Sequence, residues 1–150
     1  MAIETLRPNA AGSEESITDS TSGAGNHWQD VDDVSPDNDT TRVTNTTTGY
    51  LRDLYRLPAS SGSGTINFIK IYFRIHMSLS SQYIYAKPSL KSNSTVTDGS
   101  AVRFTGNWAT FSQQWNTNPA DSNAWEWADI NALEIGINIR CDDASYAYCS

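Results

Sequence analysis

From Ile69 to Met77 the chain alternates apolar and polar residues at every step. Ile69, Ile71, Phe73, Ile75 and Met77 fall on one side of an extended chain; Lys70, Tyr72, Arg74 and His76 fall on the other. A period of two is the signature of a strand with one face buried. The pattern returns near the C-terminus. Leu133, Ile135, Ile137, Ile139 and Cys141 share one side, and Glu134, Gly136, Asn138 and Arg140 the other. Both segments read as central strands.

Shorter runs of β-formers between turn clusters predict further strands at 3–7, 27–31, 41–45, 50–57, 83–90, 100–105 and 108–115. Turns fall at SGAGN, SPDND, SSGSG, TDGS and TNPADS. Pro88 lies inside one strand pattern, so it predicts an edge or a bulge there. A short helical turn is expected within 121–133, capped by Asp121 or Ser122. Many short strands at this spacing predict an all-β chain. The expected fold is a single antiparallel β-sandwich of jelly-roll type, about eight strands, forming one domain over residues 1–150.

Charge narrows the choice of partner. A formal net charge of -7 repels phosphate chains and anionic headgroups, so the expectation is no nucleic acid and no membrane insertion. No segment has the apolar length of a membrane span. The opening MAIETLRPNAAG has neither the basic nor the apolar region of a secretory signal. Sequons at Asn38, Asn45 and Asn93 are what chance yields in so Asn- and Thr-rich a chain.

The segments ETLRPNAAG, GSGTINFIKIYFR, KPSLKSN and NWATFSQQWNTNPADSNAWEWADINALEIGI occur in an order that resembles small jelly-roll proteins of bacteriophage, archaeal-virus and environmental sequences. The Trp-x-Trp-Ala-Asp-Ile-x-Ala-Leu-x-x-Gly block ending at Gly136 is its most specific part. The resemblance implies a virion or extracellular surface protein and says little about activity, because the scaffold hosts capsid proteins, lectins and sugar-binding modules alike. Such relatives continue beyond the position of Cys149 with one more strand. The sheet is therefore expected to lack or borrow a strand. Ile3, Glu4, Thr5, Leu6 and Arg7 are the expected donor, and a groove beside Leu133, Ile135, Ile137 and Ile139 the acceptor, giving a homo-oligomer or polymer.

Three residue groups carry candidate chemistry. A hairpin around DDASY would bring Cys141 and Cys149 together, and a disulfide there would add roughly 2–3 kcal/mol by chain entropy; two reduced, buried thiols are the alternative. Asp30, Asp32, Asp33, Asp37 and Asp39 form an acidic run that invites calcium. It lacks an EF-hand glycine and a spaced bidentate Glu, so a solvated loop competes with that reading. Trp108, Trp115 and Tyr72 are the expected members of a glycan platform, because a pyranose face stacks on an aromatic ring. Trp108 and Trp115 have opposite strand parity, so at least one faces out. The face carrying Lys70, Tyr72, Arg74 and His76 is a platform candidate too. No carboxylate pair or nucleophile motif suggests catalysis. Self-assembly is the leading functional expectation, and carbohydrate binding the alternative.

Overall fold

The computed structural model describes residues 3–79, 81–143 and 145–150. In chain order its strands are β1 (Ala10–Glu15), β2 (Asp19–Ser20), β3 (Val43–Asn45), β4 (Leu51–Arg56), β5 (Ile69–Met77), β6 (Ile84–Ser92), β7 (Thr95–Asp98), β8 (Val102–Phe104), β9 (Ala109–Trp115), β10 (Glu134–Cys141) and β11 (Ala147–Cys149). A short 3-10 helix covers His27–Asp30, and α1 covers Trp127–Ala132.

The strands form two sheets. The six-stranded sheet runs β1-β4-β10-β6-β7, with β8 also paired to β6; the five-stranded sheet runs β2-β3-β11-β5-β9. Successive strands β3, β4, β5 and β6 alternate between the sheets, as do β9, β10 and β11. That leaves β3-β11-β5-β9 packed on β4-β10-β6-β7, the nested antiparallel order of a jelly roll.

The two alternating segments behave as their periodicity dictates. Ile71, Phe73, Ile75 and Met77 of β5 are buried, as are Ile137, Ile139 and Cys141 of β10. They belong to two clusters: a larger one with Val43, Ile84, Ala86 and Cys149, and a second around Leu90, Trp125, Ile130 and Leu133. Pro88 sits in β6 opposite Ile137 of β10. Its other flank falls between the end of β7, where Ser89 meets Asp98, and the start of β8, where Ala86 meets Val102. The residue without an N–H thus occupies a gap in that side of the ladder.

Several expectations are corrected. Within the strand expected at 27–31, His27–Asp30 form the 3-10 helix instead and Val31 caps it. Ile3–Arg7 is not a strand, and β1 begins at Ala10 instead. β1 has a poor β-forming composition, but β4 supplies its partner, with Ala10 opposite Arg56 and Ala11 opposite Tyr55. Gly12 permits the close approach, since a Cβ there would run into the Leu54 carbonyl. The helix starts later than expected: the Asp129 carboxylate accepts from the Glu126 N–H at 3.0 Å, so neither Asp121 nor Ser122 caps it.

The expected acceptor groove is filled by the chain itself. β10 is paired on one edge with β4 and on the other with β6, so Leu133, Ile135, Ile137 and Ile139 face the interior of the sandwich. The segment Ile3–Arg7 lies against its own chain. The Glu4 carboxylate accepts from Ser60 and Ser61, Leu6 packs on the second cluster, and Arg7 Nε donates to the Asp33 carbonyl at 3.2 Å. The five-stranded sheet is completed by β11, inserted between β3 and β5.

The disulfide expectation is also corrected. Cys141 and Cys149 are free and buried. The chain after β10 crosses to the other sheet instead of folding back as a hairpin, so the two cysteines lie on opposite sheets. Burial raises the Cys141 thiol pKa and pushes that of Cys149 up to about 12. Both remain protonated at neutral pH and pack as small hydrophobes.

Candidate functional site

Because the inner face of β5 fills the core, Lys70, Tyr72, Arg74 and His76 point outward from the five-stranded sheet. Register decides what surrounds them. Tyr148 of β11 lies opposite His76, and Thr110 of β9 lies opposite Arg74. Trp108 precedes β9 and, with outward parity, reaches the same patch.

These residues form a paved surface. The His76 ring stands 5.3 Å from Trp108 and 5.3 Å from Tyr148 by ring centroids. Tyr146 stacks on Tyr148 at 6.1 Å and an interplanar angle of 10°. The loop before β3 supplies a polar rim. The Asp39 carboxylate accepts from Trp108 Nε1 at 3.3 Å and from Arg42 Nη1 at 3.2 Å. Asn38, in the left-handed region at φ 59°, accepts from Arg74 Nε at 2.7 Å. The Arg42 guanidinium covers Tyr148 at 4.4 Å, and Arg74 lies 5.9 Å from the Trp108 ring centre. The loop is itself braced, since Thr41 donates from both its N–H and its hydroxyl to Asp37.

Electrostatics keep the paving neutral. Burial lowers the His76 pKa and the Arg42 charge lowers it further, against the opposing pull of Asp39. Burial chiefly raises the Tyr148 pKa, and Tyr146 adds to it, while Arg42 opposes. At neutral pH the patch offers uncharged rings edged by one carboxylate, one amide and two guanidiniums. Rings of this kind take the C–H face of a sugar, and the rim can bond its hydroxyls.

The sequence candidates divide. Trp108 is in the patch. Tyr72 is on the same face, farther along β5, 66% exposed and with Lys70 Nζ 5.0 Å from its ring centre. Trp115 faces inward: it packs with the second cluster, and its carbonyl accepts from Trp125 Nε1 at 3.0 Å. Tyr146, Tyr148, Arg42 and Asn38 are members the sequence reading missed. The signal was present in SYAYC, where the two tyrosines share one parity while Ala147 and Cys149 share the other.

The acidic run is dispersed over separate bonds. Asp30 is buried and accepts from the Ser22 N–H and hydroxyl. Asp33 and Asp37 accept from Thr41, and Asp39 serves the ring patch. Burial raises the Asp32 pKa, with Asp33 and Asp30 adding to it. Among the described residues no three His, Cys, Asp or Glu side chains group to hold a metal ion.

A second polar centre lies inside the sandwich. Asp53 of β4 has no solvent exposure. It accepts from the Ser16 and Ile17 N–H groups at 2.7 and 2.9 Å and from the Tyr55 hydroxyl at 3.2 Å, and it pairs with His27 Nδ1 at 2.6 Å. Burial raises the pKa of Asp53 despite these bonds, and raises that of Tyr55 well above its ordinary value. This centre fastens the segment after β1 and the 3-10 helix to the six-stranded sheet.

The fold and this face together define a β-sandwich with a ring-paved sheet surface. No protein-family model matches the chain, and no curated protein matches it. Among solved structures, the CBM22-1 xylan-binding domain of Paenibacillus barcinonensis Xyn10C is similar over 95% of this chain and 80% of its own, at 12% identity and a TM-score of 0.41. Among the described residues no helix is long and apolar enough to cross a membrane.

Proposed function

We propose that the protein is a carbohydrate-binding domain that holds a neutral glycan on the outer face of its five-stranded sheet. The supporting observation is the ring patch of Trp108, His76, Tyr148 and Tyr146, rimmed by Asp39, Asn38, Arg42 and Arg74. Trp108 and the exposed Tyr146 act as stacking surfaces, and Asp39 and Asn38 as hydroxyl acceptors. Tyr72 extends the face along β5 for a longer chain. Such a domain works outside the cell. Titration calorimetry with soluble neutral polysaccharides, together with tryptophan fluorescence, tests the reading. Saturable binding lost in Trp108→Ala supports it; no binding across xylan, glucan and mannan panels overturns it.

One observation favours assembly as a second reading. β9, seven residues long, ends the five-stranded sheet, and an edge strand can recruit another chain. A surface or virion component would then grow by edge pairing. Light scattering over a concentration series separates the readings: growth in particle mass supports assembly, and a constant monomer mass excludes it.

A further inference from the structure

The opposite face of the sandwich carries a different surface. Across four neighbouring strands of the six-stranded sheet, tyrosines and arginines alternate in one row. Arg140 of β10 lies opposite Tyr85 of β6, and Tyr85 lies opposite Arg103 of β8. Tyr50 precedes Leu51, which lies opposite Ile139, so its ring adjoins Arg140. The Arg140 guanidinium sits 3.9 Å from the Tyr85 ring centre and 5.4 Å from that of Tyr50. Arg103 sits 3.3 Å over Tyr83 and donates from Nε to the Tyr85 hydroxyl at 3.0 Å. Lys87 covers Tyr50 at 4.3 Å.

We propose that this row is a second binding site, for an anionic polysaccharide whose carboxylates are carried on its sugar rings. The charge balance supports it. Asp142, 3.6 Å from Arg140, is the carboxylate that pairs with the row, and its charge also acts on Arg103 from beyond ion-pair distance; the one carboxylate faces the three cations Arg140, Arg103 and Lys87. The other acids of this face are engaged elsewhere, Glu14 and Asp98 with Arg52, and Glu134 with Lys91 and Arg56. An excess of fixed cations thus stands on a chain whose net charge is -7.

Geometry narrows the ligand. A guanidinium lying on a ring keeps its N–H edge in plane, ready for a bidentate carboxylate, and loses little freedom on binding. Arg140 and Arg103 are two strands apart, roughly 10 Å at the usual inter-strand spacing. An extended polyuronate presents the carboxylates of alternate rings on one side over a comparable distance. Nucleic acid suits the row poorly. The cations already cover the tyrosine faces on which bases would stack.

Calorimetry of the full chain carrying Trp108→Ala, which removes the ring patch's neutral-glycan binding, with polygalacturonate, and with the same polymer fully methyl-esterified, tests the proposal. The expected result is binding to the free acid that weakens with salt, with no binding to the ester. Arg103→Gln and Arg140→Gln should each weaken it by roughly tenfold, the scale of a lost charge-assisted hydrogen bond. Trp108→Ala should leave it intact, which separates this site from the ring patch. Equal binding to the ester, unchanged affinity in both arginine variants, no binding to the acid, or equal affinity for single-stranded DNA overturns it.

Discussion

The two outer faces of the sandwich use the same aromatic residues to opposite ends. On the five-stranded face rings chiefly meet rings: Tyr146 on Tyr148, and His76 between Tyr148 and Trp108, with Arg42 lying over Tyr148. On the six-stranded face rings meet cations, with Arg140, Arg103 and Lys87 lying over tyrosines. The first arrangement packs ring on ring and leaves the outer side of Tyr146 exposed. The second uses the rings as rests that orient charge. Counting aromatics along the chain cannot separate the two uses, because cross-strand neighbours decide them.

The largest expected effect erases both faces at once. Asp53→Ala leaves the buried donors of Ser16, Ile17, His27 and Tyr55 without their acceptor. It should lower stability by about 3–5 kcal/mol, the range for breaking a buried pair, read by urea unfolding. A loss near zero would show that the interior does not depend on this centre. Next, Trp108→Ala should weaken neutral-glycan binding by roughly 30-fold, the scale of an interface hot spot, without moving the urea midpoint far. A selective loss of polyuronate binding in that variant would reverse the assignment of the faces.

A smaller effect is expected from Tyr85→Ala, which removes the rest beneath Arg140 and the hydroxyl that holds Arg103. Cation–π contacts at exposed sites are worth about 0.5–1 kcal/mol each. Polyuronate affinity should therefore fall by a few-fold in calorimetry while neutral-glycan affinity stays unchanged. The smallest concerns pH. His76 titrates below its ordinary value of about 6.5 because of burial and Arg42. The unfolded chain therefore takes up this proton before the folded one does. The stability held in the neutral ring is present above about pH 6.5 and is lost as pH falls through the lowered folded value. Protonation also sets a third cation beside Arg42 and Arg74. Neutral-glycan affinity and thermal stability should both decline between pH 7 and 5, and His76→Gln should flatten that slope. An unchanged slope in the variant would remove His76 from the account.

Periodicity carried the reading furthest where burial is one-sided. β5 was legible because it sends one parity into the core and the other out; in β10 the outward Glu134 and Asn138 are buried too, and Leu133 closes the helix before the strand begins at Glu134. β1 was not legible, since Ala10–Glu15 has no run of β-formers and owes its conformation to pairing with β4. The 3-10 helix at His27–Asp30 looked like a strand because His, Trp and Val favour extended chain locally; the bond from His27 to Asp53 overrides that preference. Asp53 itself had a readable sign. In YLRDLYRL it shares parity with Leu51 and Tyr55, and a carboxylate on the apolar side of a strand implies a buried partner. The partner could not be found from sequence, because residues 27 and 53 meet only through the fold. That one of Trp108 and Trp115 faces out was legible, but not which, whereas Tyr148 and His76 come together through the register of β11 on β5.

The position of β11 also has a consequence for how the chain reaches this structure. Its two partners, β3 and β5, end at Asn45 and Met77, yet they do not pair with each other; Ala147–Cys149 must come between them. During synthesis the edges of β3 and β5 that face each other therefore stay vacant until almost the whole described length has emerged. Contacts of such long sequence separation close slowly, and unpaired edges are where nascent β-proteins aggregate. A strand of three residues is thus the one whose arrival ends the vulnerable phase of folding.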